Sequence, residues 1–331
     1  MHNTYTSLAY FALVTMAASG CTAAQDDEPE TAKEKGSAED PLIGGTYPSP
    51  SFAKDTGTLL IRGGCTAARV GPRHILTAAH CGSTYLPGMY LSITQSPSDS
   101  NADWSTIGIS RVWVHPSFKS VDLLCRPSLK CSRDLGVSDV AVIQTTNDMP
   151  TTISTARVGA YRYEAAGYQR RVFLTGYGCE DSVFAPPPVW GQPMKERRLG
   201  ISVAPIEPVS NINKYGPVLN NAQFGPFDGS YFLTPGLSHP NGNASLCPGD
   251  SGGPVFLDRP VYPGGPARAT NVVIGVNADY TFDGSYDRWG TPSGISTFKI
   301  HTRLSNDAPN YVSSWLQSVL PASSFLRTMD P

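Results

Sequence analysis

Cys247-Pro248-Gly249-Asp250-Ser251-Gly252-Gly253-Pro254 places one serine among three glycines. Glycine accepts backbone conformations that other residues resist, so such a stretch can turn sharply around the serine. A sharp turn exposes the hydroxyl and frees neighbouring backbone N–H groups to face a reacting oxygen. The stretch reads as a serine nucleophile. Taken alone, Gly249 to Gly253 also satisfies G-x-S-x-G, the nucleophile turn of α/β-hydrolases. Residues elsewhere in the chain separate the two folds.

A nucleophilic serine needs a base, and the base needs a group that orients it. Leu76-Thr77-Ala78-Ala79-His80-Cys81 presents a histidine among small residues, at the end of a run that reads as a strand. Ser138-Asp139-Val140-Ala141-Val142-Ile143 sets an aspartate at the mouth of a β-branched run. The chain order is then His80, Asp139, Ser251. An α/β-hydrolase requires both partners after the serine. Only His301 follows it, inside a Lys-Ile-His-Thr-Arg-Leu strand. Alternating helical patterns, which that fold also needs, are nearly absent.

Five motifs in order now identify a resemblance. They are Leu42-Ile43-Gly44-Gly45, the segment from Thr77 to Cys81, the Asp139 segment, the Ser251 segment and a closing helical run around Trp315. The chain resembles the chymotrypsin/trypsin-like serine endopeptidases, from about Leu42 to Leu320. The resemblance implies an all-β domain over 42–320, built of two six-stranded antiparallel Greek-key barrels at about 42–155 and 156–305. A C-terminal helix at about 309–320 and a tail at 321–331 would follow.

The residues themselves also read as β-rich. Short runs at Thr58 to Ile61, Ile107 to Val114, Val140 to Gln144, Val172 to Thr175 and Val272 to Val276 lie between Gly, Pro, Ser and Asn clusters. Val312, Trp315, Leu316 and Val319 have the i, i+3, i+4, i+7 spacing of one amphipathic helix, with Asp307 and Pro309 as start signals. The stretches 182–245 and 257–297, rich in Pro, Gly and Asn, read as enlarged surface loops.

By resemblance, Ser251 attacks a carbonyl carbon, His80 carries the proton, and Asp139 orients the histidine. The N–H groups of Gly249 and Ser251 form the oxyanion hole. The family also has an activation pair, in which a new N-terminus folds in to meet the aspartate beside the nucleophile. That implies Leu42 and Asp250, with a cut after Asp40-Pro41 and not after Lys or Arg. At the position that sets the pocket floor stands Ser245, which is neutral and argues against a trypsin-like preference through a floor aspartate. Lys299 falls near a pocket wall, where it would plug the pocket or attract an acidic side chain. The family's serine-tryptophan-glycine edge is missing from Gly275 to Tyr280. An obstructed pocket would leave a protease-like binding module, the alternative to a working enzyme.

Seven cysteines stand at 21, 65, 81, 125, 131, 179 and 247. In a β-rich chain, close pairs read as disulfides of an oxidising compartment. Cys65–Cys81 matches the family's bridge at the histidine loop. Cys125–Cys131 is close enough to staple a small loop, and Cys179–Cys247 is expected as the remaining pair. Free buried thiols are the other reading.

Residues 8–18 form an apolar run followed by Ser19-Gly20-Cys21. The run is too short to span a membrane and fits a secretory signal over 1–21. Its end resembles a bacterial lipoprotein box, with Cys21 as the lipidated N-terminus. Both lipidation on an envelope membrane and simple secretion stay open. Residues 22–41 carry seven acidic and two basic side chains with no large apolar ones, and read as a disordered linker or pro-segment. Removing that net −5 from the chain's −2 leaves the remainder near +3. Such a charge points to no nucleic-acid or membrane-surface partner. A monomer acting on protein or peptide substrates, with no cofactor and no metal, is expected. Asn243-Ala244-Ser245 also matches a glycosylation sequon.

Overall fold

The computed structural model describes residues 42, 45–49, 51–95, 104–118, 138–159, 171–178, 199–208, 230–236, 239, 241–242, 244–246, 249–258, 269–280, 298–305 and 312–326. All of them belong to the unit Gly36–Pro331. Cys21, Cys125, Cys131, Cys179 and Cys247 lie outside the described residues, as do the start signals Asp307 and Pro309.

Successive side chains of a strand face opposite sides, so each strand here serves two apolar layers. β1 (Thr58–Ile61), β2 (Cys65–Gly71), β3 (His74–Thr77), β4 (Tyr90–Thr94), β5 (Ser105–Val114) and β6 (Ala141–Thr145) close an antiparallel barrel in the order β1-β2-β3-β6-β5-β4. Leu59, Ile61, Ala67, Ile75, Ile93 and Ile143 fill its interior. Their neighbours Ala68, Leu76 and Val142 turn outward into a different core.

That other core joins the two halves. Phe173, Phe256, Val273 and Leu304 enter it from the second half, and Val312, Leu316 and Leu320 from the C-terminal segment. The α-helices among the described residues are α1 (Phe52–Thr56), α2 (Ala79–Gly82) and α3 (Val312–Val319); α3 buries Val312 and Leu316 in this core, and Trp315 sets its ring edge-on to His115 at 5.0 Å. The predicted helical face is the one that packs.

The second sheet orders β8 (Arg171–Gly176), β9 (Gly200–Pro205), β10 (Tyr231–Pro235), β11 (Pro254–Asp258), β12 (Ala269–Tyr280) and β13 (Phe298–Arg303) as β10-β13-β12-β11-β8-β9. A pair of bonds between Glu207 and Leu233 ties the two ends of this path, which makes the sheet barrel-like. A short β7 (Arg157–Val158) runs parallel to β12, an addition to the expected six strands. Val172, Leu174, Val255, Ile274 and Leu42 pack inside.

The loop reading of 182–245 and 257–297 needs correction. β9 and β10 fall within the first stretch, and the second holds β12, which extends the β run expected at Val272 to Val276. β9 and β10 are short and bordered by Gly and Pro, which hid their β pattern. Barrel partners, and not local propensity, hold such strands in place.

Candidate active site

Register brings the first two groups together. β3 and β6 pair with Thr77 opposite Ala141. His80 lies three residues beyond Thr77, in the short helix α2 (Ala79–Gly82), and Asp139 lies two residues before Ala141. Adjacent strand ends therefore deliver both side chains to one spot. Asp139 accepts two bonds from His80, at Oδ1 from the backbone N–H (2.9 Å) and at Oδ2 against ring Nδ1 (2.7 Å). A carboxylate facing Nδ1 fixes the ring proton there, which leaves Nε2 as a proton acceptor. Gly82 allows α2 to sit this close, because a Cβ there would stand 2.5 Å from the Cβ of Ala141.

Covalent clipping reinforces the same spot. The Cys65–Cys81 bridge is present and joins the start of β2 to the helix that carries His80. Closing a loop of sequence separation 16 contributes ~3 kcal/mol in the chain-entropy model. Ligand-type atoms of Cys65, His80 and Cys81 lie within 4.8 Å of one another. Both sulfurs are consumed by the disulfide, so neither is a thiolate for a metal.

The serine turn is seated directly on the first barrel. Thr66, on β2, donates its N–H to Ser251 O (2.9 Å) and its hydroxyl to Gly249 O (2.8 Å). The same hydroxyl accepts from Tyr177 N–H at 2.9 Å, so one side chain ties β2 to two segments of the second half. Gly252 has φ +82°, and a Cβ there would meet Thr77 Oγ1 at 2.1 Å and Thr66 O at 2.3 Å. Only glycine fits. Gly249 has φ 111°. Within the turn, Gly252 and Gly253 commit their N–H groups to Asn277 O and Asp250 O. The N–H groups of Gly249 and Ser251 donate no hydrogen bond among the described residues. Two uncommitted donors flanking a half-exposed serine make an anion-accepting pair.

Asp250 points the other way, into the protein. It is fully buried, and its Oδ1 accepts the Gly178 N–H at 2.8 Å. Gly176 makes room for it, since a Cβ there would lie 1.9 Å from that oxygen. Leu42 is also fully buried, in the core of the second sheet, with the left-handed φ of 59° that a branched side chain resists.

Sequence reasoning missed the roles of Thr66 and Asn277. Asn277 Nδ2 donates to Thr175 O (2.9 Å) and Asp250 O (3.2 Å), and its Oδ1 accepts from His301 Nδ1 (3.0 Å). His301 Nε2 then accepts from the Thr234 hydroxyl at 2.8 Å. A lone asparagine inside Val272-Val273-Ile274-Gly275-Val276-Asn277-Ala278 was the available signal, because a buried amide must be satisfied. His301 is a structural member of this network. Burial, with a smaller contribution from Lys299, holds its pKa well below the ordinary range. Ser245 is buried, and so is Lys299.

The comparisons fit this arrangement. Residues 43–191 match the sequence model of the trypsin family. Over this stretch the chain is similar to the trypsin family. The solved structure titled neuropsin, a serine protease expressed in the limbic system of mouse brain, is similar with a TM-score of 0.52 at 15% identity. The likeness covers 84% of this chain and 99% of that one, and at such identity it is a likeness of fold. No curated protein matches the chain in sequence. The trypsin match ends before Ser251, so the reading of Ser251 rests on its own geometry.

Proposed function

We propose that this chain is a secreted serine endopeptidase working through His80, Asp139 and Ser251. His80 Nε2 takes the Ser251 proton as Oγ attacks the peptide carbonyl carbon. The oxyanion that forms is met by the N–H groups of Gly249 and Ser251, each such donor lowering the barrier by ~3–4 kcal/mol. His80 then protonates the departing amine, leaving an acyl-serine. Water, deprotonated by His80, attacks the acyl group and restores the enzyme. Asp139 keeps the proton on Nδ1 and stabilises the imidazolium.

The observation that carries this reading is the pair of uncommitted N–H groups flanking Ser251, on a turn seated against the barrel that holds the His80–Asp139 pair. A fluorophosphonate probe tests it. Labelling should map to Ser251 and vanish in Ser251→Ala and His80→Ala. A processed, folded protein that stays unlabelled would favour the protease-like binding module, a reading to which the buried Lys299 and Ser245 lend support.

Processing before Leu42 belongs to the same proposal. The left-handed φ at Leu42 supports it, because a cut there removes the constraint and relieves about 1–2 kcal/mol of strain. The new ammonium would be offered to Asp250. N-terminal sequencing of purified active protein should begin at Leu42. Cys21 would either carry a lipid on a bacterial envelope membrane or be removed with the signal, and metabolic labelling with a fatty-acid analogue distinguishes the two. Neutral Ser245 supports a preference other than Arg or Lys beside the scissile bond.

A further inference from the structure

The disulfide beside His80 lies between the two halves of the site. Cys81 adjoins His80 in α2, and its Sγ is 3.8 Å from Ser251 O. Cys65 adjoins Thr66, which holds the nucleophile turn. One ligand-type atom each from Cys65, His80 and Cys81 lies within 4.8 Å of the others, the only such group of three among the described residues. Cys65 is half-buried and the His80 side chain is 35% exposed, so solutes reach the cluster from solvent.

While the bridge is closed, the sulfurs bind only each other. Opening it changes the chemistry. A dithiol reductant gives two electrons and two protons, is itself oxidised to a disulfide, and leaves Cys65 and Cys81 as thiols. A zinc ion then displaces both thiol protons to solvent and takes the two thiolates. The third ligand is already oriented. Asp139 Oδ2 faces Nδ1 of His80 at 2.7 Å, so the lone pair is on Nε2. A carboxylate behind an imidazole is the arrangement that steers and strengthens a zinc-bound histidine. Zinc with Zn–S bonds of ~2.3 Å holds its sulfurs about 3.8 Å apart. The two Cα atoms stand 6.3 Å apart, and rotation of the two side chains supplies that spacing. Thiolates with an imidazole suit zinc better than the harder divalent cations.

We propose that the reduced chain holds zinc through Cys65, Cys81 and His80, and that this ion keeps the protease off until the bridge closes. A metal on Nε2 removes the base that must accept the Ser251 proton. Thiols persist in a reducing compartment and disulfides in an oxidising one. A chain passing from the first to the second exchanges the ion for the bridge. A disulfide oxidant accepts the two electrons with two protons from solvent, the Sγ–Sγ bond reforms, and zinc is released. The inference rests on the reading of His80 as the base for Ser251.

The test uses the full chain, reduced with a water-soluble phosphine that ends as its oxide and brings no thiol of its own. Cobalt serves as the spectroscopic stand-in for zinc. Thiolate-to-cobalt charge-transfer absorption should appear in reduced but not oxidised wild type, and zinc should displace it. The other cysteines also reduce, so the signal that counts is the part lost in Cys65→Ser and Cys81→Ser. Asp139→Asn should weaken zinc binding about 10–100-fold. With free zinc at about 100 times its dissociation constant, fluorophosphonate labelling of the reduced chain should slow about 100-fold and recover with a chelator. Labelling of the oxidised chain should not change. Circular dichroism follows the fold. Where reduction alone unfolds the chain, zinc should restore it, because the binding energy of such a site is folding energy. A reduced chain that zinc leaves unfolded would overturn the proposal. So would a cobalt spectrum unaltered in both serine variants, or equal slowing of the oxidised chain by zinc. Oxidised, metal-free protein that never labels overturns the Ser251 reading instead, and the cobalt spectrum still decides the zinc site.

Discussion

The two halves of the candidate site are held by different physics. On the first barrel, His80 and Asp139 hang from adjacent strand ends, joined by a charge-assisted bond and clipped by one disulfide. On the second, Ser251 rides a glycine turn braced from behind by the buried polar groups Asp250, Asn277 and His301. The first arrangement is local and redundant. The second depends on every buried group being satisfied, and a partly satisfied polar network is costly. Robustness and adjustability are thus divided between the barrels.

Breaking the proposed chemistry should show no such asymmetry, because a catalytic triad acts as a unit. Ser251→Ala or His80→Ala should each lower peptide hydrolysis by about 10⁶-fold, and Asp139→Asn by about 10⁴-fold. Single-turnover kinetics on a peptide substrate measures both. Stability should separate the halves. Replacing Cys65 and Cys81 by serine removes ~3 kcal/mol, read as a fall in the urea midpoint.

Acidity sharpens the contrast further. In the folded chain Lys299 loses its proton at about 7, whereas in the unfolded chain it holds it to about 10.5. Between those values the unfolded state binds more protons, so the Lys299 contribution to stability rises with pH. Urea titrations from pH 7 to 9.5 should show the rise in wild type and its loss in Lys299→Met. The smallest effect is expected at the seam. Thr66→Val deletes the bonds to Gly249 O and Tyr177 N–H, lowering stability by about 1–2 kcal/mol.

This division also explains what could be read from the chain alone. The candidate catalytic groups His80, Asp139 and Ser251 lie in short motifs, so they could be picked out together from their order in the chain. β1, β5 and β6 were legible because their apolar runs are bounded by turn residues. β9 and β10 were not, since their burial comes from partners distant in sequence. Thr66 carries no local sign of its position at the seam. Lys299 was singled out as a pocket residue, but its complete burial comes from pairing with β10 and β12, which lie distant in sequence.

On the proposed reading the two halves meet to make an endopeptidase. Digestion of an unfolded protein substrate, with products mapped by mass spectrometry, tests it most directly. Wild-type protein should cut internal peptide bonds, and Ser251→Ala prepared identically should cut none. Equal cleavage by the two, or no cleavage by properly processed wild type across a range of substrates, would contradict the account.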